Sequence, residues 1–173
     1  MKIGLIRHFE VIQSSKALTL MSSEEFKQWQ NRYNVAMTRS NAIDIDKKEW
    51  QICYTSDLSR AVYTAKTVFG DKIIETKLLR EVEILPLFDT NIKIPFIIWN
   101  TLGRFQWYFS RKHIDEKRAN DFISDILNKY EKNILIVSHG ALMWYLRKSL
   151  ISKGFNGPRF GKAKNGHLYI FKC

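Results

Sequence analysis

Two apolar rhythms alternate along the chain. "KIGLIR" (Lys2 to Arg7) is a short continuous apolar run, the pattern of a buried strand. "SSEEFKQWQNRYNVAM" then takes helical spacing; Ser22 is placed to cap it and Glu25 to close a capping box. "WQICYTS" (Trp50 to Ser56) predicts a second strand. "DLSRAVYTAKTVFG" predicts a helix with Asp57 near its positive end and Gly70 as its stop. "KIIET" predicts a third strand, and "LLREVEIL" reads equally as loop or strand. "FIIWNTLGRFQWYFSR" and "DEKRANDFISDILNKYE" both carry helical spacing. "NILIVSH" (Asn133 to His139) predicts a strongly apolar strand, and "GALMWYLRKSLISKG" a helix ending at Gly154. "NGHLYIFKC" opens on the turn pair Asn165-Gly166 and predicts a last strand.

Strands that alternate with helices predict an α/β fold in three layers: a central, mostly parallel sheet with helices on both faces. At 173 residues the chain suits a single domain, 1–173. The segment 86–111 breaks the strand-helix rhythm and is expected to be an insertion or lid.

Composition adds a bias and some exclusions. The net charge is +11, which favours anionic partners such as phosphate esters, nucleic acid or acidic lipid. The lysines are scattered and no aromatic-basic RNA-binding signature is present, so nucleic acid is not the expected partner. The apolar run of "MKIGLIRH" is too short for a signal peptide and Arg7 breaks it. The stretch Ile94 to Phe109 is interrupted by Pro95, Asn100, Arg104 and Gln106, so no membrane association is expected. Two cysteines, Cys53 and Cys173, form neither a disulfide framework nor a zinc pattern, and the expected home is the reducing cytoplasm.

In open α/β sheets ligands bind beyond the carboxyl ends of the strands. Arg7 and His8 follow the first predicted strand. Thr55 and Ser56 end the second, with Arg60 one turn into the next helix. His139 and Gly140 follow "ILIVS", and Glu81 and Glu83 lie just past the third strand. These residue types fit phosphoryl transfer. A neutral imidazole is a competent nucleophile toward phosphorus, and arginine forks bind phosphate oxygens bidentately. A second histidine adds a donor to the same oxygens. A carboxylic acid can protonate the leaving alkoxide. No metal and no cofactor is required by this chemistry. His113, between charged residues, and His167, after a turn, read as surface or packing residues. Trp99, Trp107 and Phe109 read as core or lid packing.

"LIRH", "YTSDLSRAVYTA", "LLRE" and "ILIVSHG", in this order and spacing from Lys2 to about Leu150, resemble the histidine phosphatase superfamily, also called the phosphoglycerate mutase-like family. The resemblance implies an α/β fold with a mostly parallel sheet and a histidine that is phosphorylated and then dephosphorylated. By motif position, His8 would be the nucleophile. Arg7, Arg60 and His139 would complete the phosphate pocket, and Glu81 would donate a proton and later activate water. Glu83 is the second choice for that donor. Gly140, Glu10 and Phe9 are expected substrate contacts beside Arg7, Arg60 and His139.

Three departures mark the leaving-group side. The family has glycine after the first histidine, whereas this chain reads "RHFE", with Phe9 in its place and Glu10 kept. "VIQSSK" lacks the threonine and asparagine that often follow. "LRE" runs into "VEILPLF" instead of a glycine-and-tryptophan stretch. A bulky residue with positive φ would be strained, so Phe9 is expected to keep ordinary dihedrals. Its ring is expected to turn away from the phosphate, packing under the insertion or lining the substrate entrance.

The resemblance implies a metal-independent phosphomonoester hydrolase of the histidine acid phosphatase type. Its partner would be a small phosphorylated substrate. Hydrolysis is favoured over mutase chemistry, because the family's cofactor-dependent mutases are longer. Other readings stay open: a phosphohistidine or phosphoprotein phosphatase, a phosphoglycerate mutase-like phosphotransferase, and a catalytically weak member that binds anions or nucleic acid.

Overall fold

A computed structural model describes residues 1–12, 18–40, 43 and 45–173. In chain order its strands are β1 (Lys2–Arg7), β2 (Glu10–Val11), β3 (Leu20–Met21), β4 (Thr38–Arg39), β5 (Ile52–Ser56), β6 (Ile74–Thr76), β7 (Ile94–Pro95), β8 (Ile134–Ser138) and β9 (Leu168–Lys172). The helices are α1 (Ser23–Val35), α2 (Ser59–Val68), α3 (Phe96–Ser110), α4 (Lys112–Lys129) and α5 (Gly140–Ser152). Part of "VIQSSK", residues 13–16, lies outside the described residues.

The central sheet has the order β6-β5-β8-β1-β9. β1, β5, β6 and β8 run parallel, and β9 closes the edge antiparallel to β1. β8 is buried at all five positions. It lies between two strands and under helices on both faces, so it needs a continuous apolar sequence. Side chains alternate along β1 and β8 as the pleat dictates. Ile3, Leu5, Ile134 and Ile136 pack with Phe122 of α4 and Leu142 of α5. Ile6, Leu135 and Val137 pack on the other face with Ala61 and Ala65 of α2. The expected three-layer α/β architecture is therefore present.

Local signals act where the sequence places them. Ser22 and Glu25 form the reciprocal capping box of α1. Gly70 and Gly154 take positive φ just past α2 and α5. Asp57 does not cap α2; its carboxylate instead takes a bidentate pair from Arg80 at 2.6 Å. "LLREVEIL" resolves as a short 3-10 turn at Lys77–Leu79 followed by loop.

The segment 86–111 holds β7 and α3, and it does not stand alone. β7 pairs with β3, and Phe26 of α1 packs with Trp99 of α3. The Trp99 indole N–H donates to the Met21 carbonyl at 2.7 Å. The "VEIL" loop lies against α3 at Gly103, where a Cβ would meet the Leu85 carbonyl at 2.6 Å. Gln30 of α1 donates to the Ile84 carbonyl. Helices α1 and α3 thus form one cap. Trp99 and Trp107 pack as expected, with Trp107 hydrogen-bonded to Asp115 at 2.7 Å. Phe109 corrects its expectation. It is 69 % exposed in the last turn of α3, its ring 4.7 Å from that of Phe105, itself exposed.

Candidate phosphate-transfer site

The carboxyl ends of β1 and β8 bring His8 and His139 together. Their ring centroids are 5.0 Å apart. The backbone around His8 is held from three sides. Its N–H donates to the Ser138 carbonyl at 3.0 Å, continuing the β1–β8 ladder. Its carbonyl accepts from the Asn165 side chain at 2.8 Å, and the next N–H, of Phe9, donates to Thr64 Oγ1 at 2.9 Å.

The tautomer of each imidazole follows from its contacts. His8 Nδ1 lies 2.6 Å from the Phe9 carbonyl oxygen, which can only accept. Nδ1 therefore carries the proton and Nε2 keeps its lone pair. Burial, with Arg60 and then Arg7 adding positive charge, lowers the His8 pKa to about 3, against the Phe9 hydrogen bond that raises it. The ring is neutral at pH 7. His139 is the mirror case. Arg60 Nε donates to its Nδ1 at 3.3 Å, so the proton sits on Nε2. Nε2 is buried and has no partner among the described residues. Burial, the Arg60 charge and its other cationic neighbours hold His139 well below its usual range, so it too is neutral. One ring offers a lone pair and the other an N–H.

Arg60 is 3 % exposed and fixed on several sides. Besides His139, its Nη1 donates to Asn34 Oδ1 at 3.0 Å, and its guanidinium lies over the Tyr33 ring at 5.2 Å. Thr64 Oγ donates to the Arg60 carbonyl at 2.7 Å, tying this turn of α2 to Phe9. Arg7 Nη1 donates to the Ala163 carbonyl at 2.8 Å, while its Nε is buried without a partner among the described residues. Gly140 makes room for Arg7. A Cβ there would lie 3.3 Å from the guanidinium carbon.

Glu81 sits at the amino end of α5. Its carboxylate accepts from the N–H groups of Ala141 and Leu142 at 3.2 Å and of Val82 at 3.1 Å. The loop is placed by Ser138, whose hydroxyl donates to the Leu79 carbonyl at 2.9 Å. Glu83 has another use: it is 2.7 Å from Arg111 in an ion pair. Glu10 lies on β2, exposed, at the cavity edge. His113 is exposed, and the His167 ring packs edge-on to Tyr169 at 4.6 Å, both as expected.

Phe9 overturns its assignment as a substrate contact. It is fully buried and packs with Ile6, Trp50, Cys53 and Val137. Ala61, Thr64 and Ala65 give α2 a small-residue face, and the ring fills the space these leave, neither under the insertion nor at the entrance. Its dihedrals are ordinary, since no described non-glycine residue has positive φ.

Above this floor lies a cavity of about 990 Å³. Arg7, Arg60 and Glu81 line its base, and α1 and α3 supply one wall. Asn34 and Tyr33 belong to the site although no motif marks them. They reach it because α1 ends beside α2. Among the described residues no helix is long and apolar enough to cross a membrane.

No family model matches this chain, and no curated protein does. Solved structures do match. An alpha-ribazole phosphatase from Shigella flexneri aligns with a TM-score of 0.57 and 21 % identity, over 98 % of this chain and 89 % of its own. A phosphoserine phosphatase from Entamoeba histolytica, in complex with 3-phosphoglyceric acid, gives 0.55 and 19 %, over 98 % and 89 %. A mycobacterial glucosyl-3-phosphoglycerate phosphatase, complexed with VO3, gives 0.58 and 14 %, over 98 % and 91 %. At these identities the likeness is one of fold. The chain shares the α/β fold of these three phosphatases.

Proposed function

We propose that this protein is a phosphomonoester hydrolase that works through a phosphohistidine at His8. The observation that carries the reading is the adjacent pair of neutral imidazoles, 5.0 Å apart, His8 with its proton on Nδ1 and His139 with an Nε2–H that has no partner among the described residues. That pairing suits a nucleophile facing a donor for phosphate oxygens. The fold shared with three phosphatases supports it.

In the first half-reaction His8 Nε2 attacks phosphorus and the P–O ester bond breaks. The leaving alkoxide takes a proton from Glu81. Arg7, Arg60 and the His139 Nε2–H hold the equatorial oxygens as charge shifts onto them. In the second, water attacks the phosphohistidine, Glu81 takes its proton, and the P–N bond breaks to free His8 and inorganic phosphate. The α1–α3 cap acts as a lid over a small substrate, which favours a metabolite over a phosphoprotein.

The test is phosphate release from a panel of phosphorylated metabolites, with His8→Ala as the blank, together with trapping of an acid-labile phosphoenzyme. Release that needs His8, with a labile adduct lost in the variant, is expected. Turnover undiminished in His8→Ala overturns the mechanism.

A further inference from the structure

The cap wall of the cavity has a composition that phosphate binding does not explain. Starting at Arg60, an unbroken series of aromatic rings runs up that wall. The Arg60 guanidinium lies 5.2 Å from the Tyr33 centroid, Tyr33 lies 5.1 Å from Trp29, and Trp29 lies 4.6 Å from Phe96. Tyr33 and Trp29 are one helical turn apart on α1, and Phe96 opens α3. All three rings are half-buried and line the cavity. The joint between α1 and α3 is already made by fully buried Phe26 and Trp99. The outer rings therefore present apolar surface toward the ligand space.

The opposite wall is ionic, and its arginines pair within the protein, while Lys77 pairs with no carboxylate among the described residues. Arg80, Arg111 and Arg118 each hold a carboxylate of the protein itself, on Asp57, Glu83 and Asp115. These three arginines are thus engaged and do not call for a second phosphate. One phosphate at the floor and an apolar ring against the wall satisfy both halves of the cavity.

We infer that the substrate is a monophosphate ester whose alcohol part carries a planar ring, bound along Tyr33, Trp29 and Phe96. This rests on the phosphatase reading and names its substrate class. The ring can sit close to the ester oxygen, as in an arylalkyl phosphate, or one sugar away, as in a nucleoside monophosphate.

Matched pairs with the same primary alkoxide leaving group test it: 2-phenylethyl phosphate against ethyl phosphate, and a nucleoside 5′-monophosphate against ribose 5-phosphate. In at least one pair the ring-bearing member should have a kcat/KM higher by about tenfold, mainly through KM, the increment that burying one ring provides. The pair with the larger ratio identifies the source. Trp29→Leu and Phe96→Leu should collapse that ratio while leaving the ringless member near its original rate. Either variant suffices if the other does not fold. A ratio within about twofold for both pairs, or one that both variants leave intact, overturns the inference. Binding of phenylphosphonate against methylphosphonate, read by tryptophan fluorescence, separates the two proposals. Tighter phenylphosphonate binding without any turnover supports the ring subsite and removes the phosphatase reading; equal binding, with a nucleoside 5′-monophosphate also binding no tighter than ribose 5-phosphate, overturns the subsite even in an active enzyme.

Discussion

The floor of the cavity and its cap are built by different means. Every group on the floor is fixed by something harder than itself. His8 and His139 end two adjacent parallel strands whose register is set by the buried sheet. Arg60 is held by His139, Asn34 and Tyr33, and Glu81 by the first N–H groups of α5. The cap is held by side-chain packing between α1 and α3 and by a two-residue ribbon, β3 with β7. A floor of strand ends keeps reacting groups in place; a cap of helices can change its lining without moving them.

Variants can break that contrast, and His8→Ala is expected to be the most severe. Loss of the nucleophile should lower kcat by at least about 10⁴-fold while the thermal transition stays near its original position. A residual rate within tenfold of the parent protein would show that another group attacks. Phe9→Ala attacks the floor from beneath. Removing a fully buried ring should cost about 3–5 kcal/mol of stability in denaturant unfolding. A loss below about 1 kcal/mol would mean that α2 collapses onto the vacated space.

Arg60→Ala removes a guanidinium from the phosphate oxygens and should lower kcat about 10²–10³-fold. Asn34→Ala acts only through Arg60, so it should raise KM for phosphate esters by roughly tenfold with a smaller change in kcat. A kcat loss as large as that of Arg60→Ala would instead place Asn34 against the substrate.

The smallest effect is on pH. Burial, with Arg60 beside it, pushes the His8 pKa from the ordinary 6.5 down to about 3 in the folded protein. Between these values the unfolded chain binds a proton that the folded chain does not. Stability therefore rises with pH across this window and is lost as pH falls below about 6.5, by about 1 kcal/mol per pH unit for each such histidine. His139 moves in the same direction. Unfolding measured between pH 6.5 and 5 should show this slope, and His8→Asn should flatten part of it. Equal slopes in the two proteins would mean that His8 is not buried as a neutral ring.

The contrast also explains what could be read in advance. The capping box at Ser22 and Glu25, the apolar run Ile134–Val137 of β8 and the glycines ending α2 and α5 are local or periodic signals, and each formed where expected. His8, Arg60, His139 and Glu81 stand beside strand or helix ends, so predicting the elements places them in one crevice. Asn34 and Tyr33 carried no such mark. They enter the site only because α1 packs beside α2. Phe9 was misplaced for a related reason: the sequence shows a bulky residue beside a catalytic motif, but not the small face of Ala61, Thr64 and Ala65 that receives it.

The sequence by itself determined the α/β architecture and the edge at which His8, Arg60, His139 and Glu81 stand, because strand burial is periodic and strand ends deliver their next residues to one edge. Tertiary structure alone decided which nitrogen of each histidine is free, which of two nearby glutamates caps α5, and which rings line the cavity. Those depend on distances between residues far apart in the chain, such as Arg60 to His139 and Trp29 to Phe96, and no local pattern encodes them.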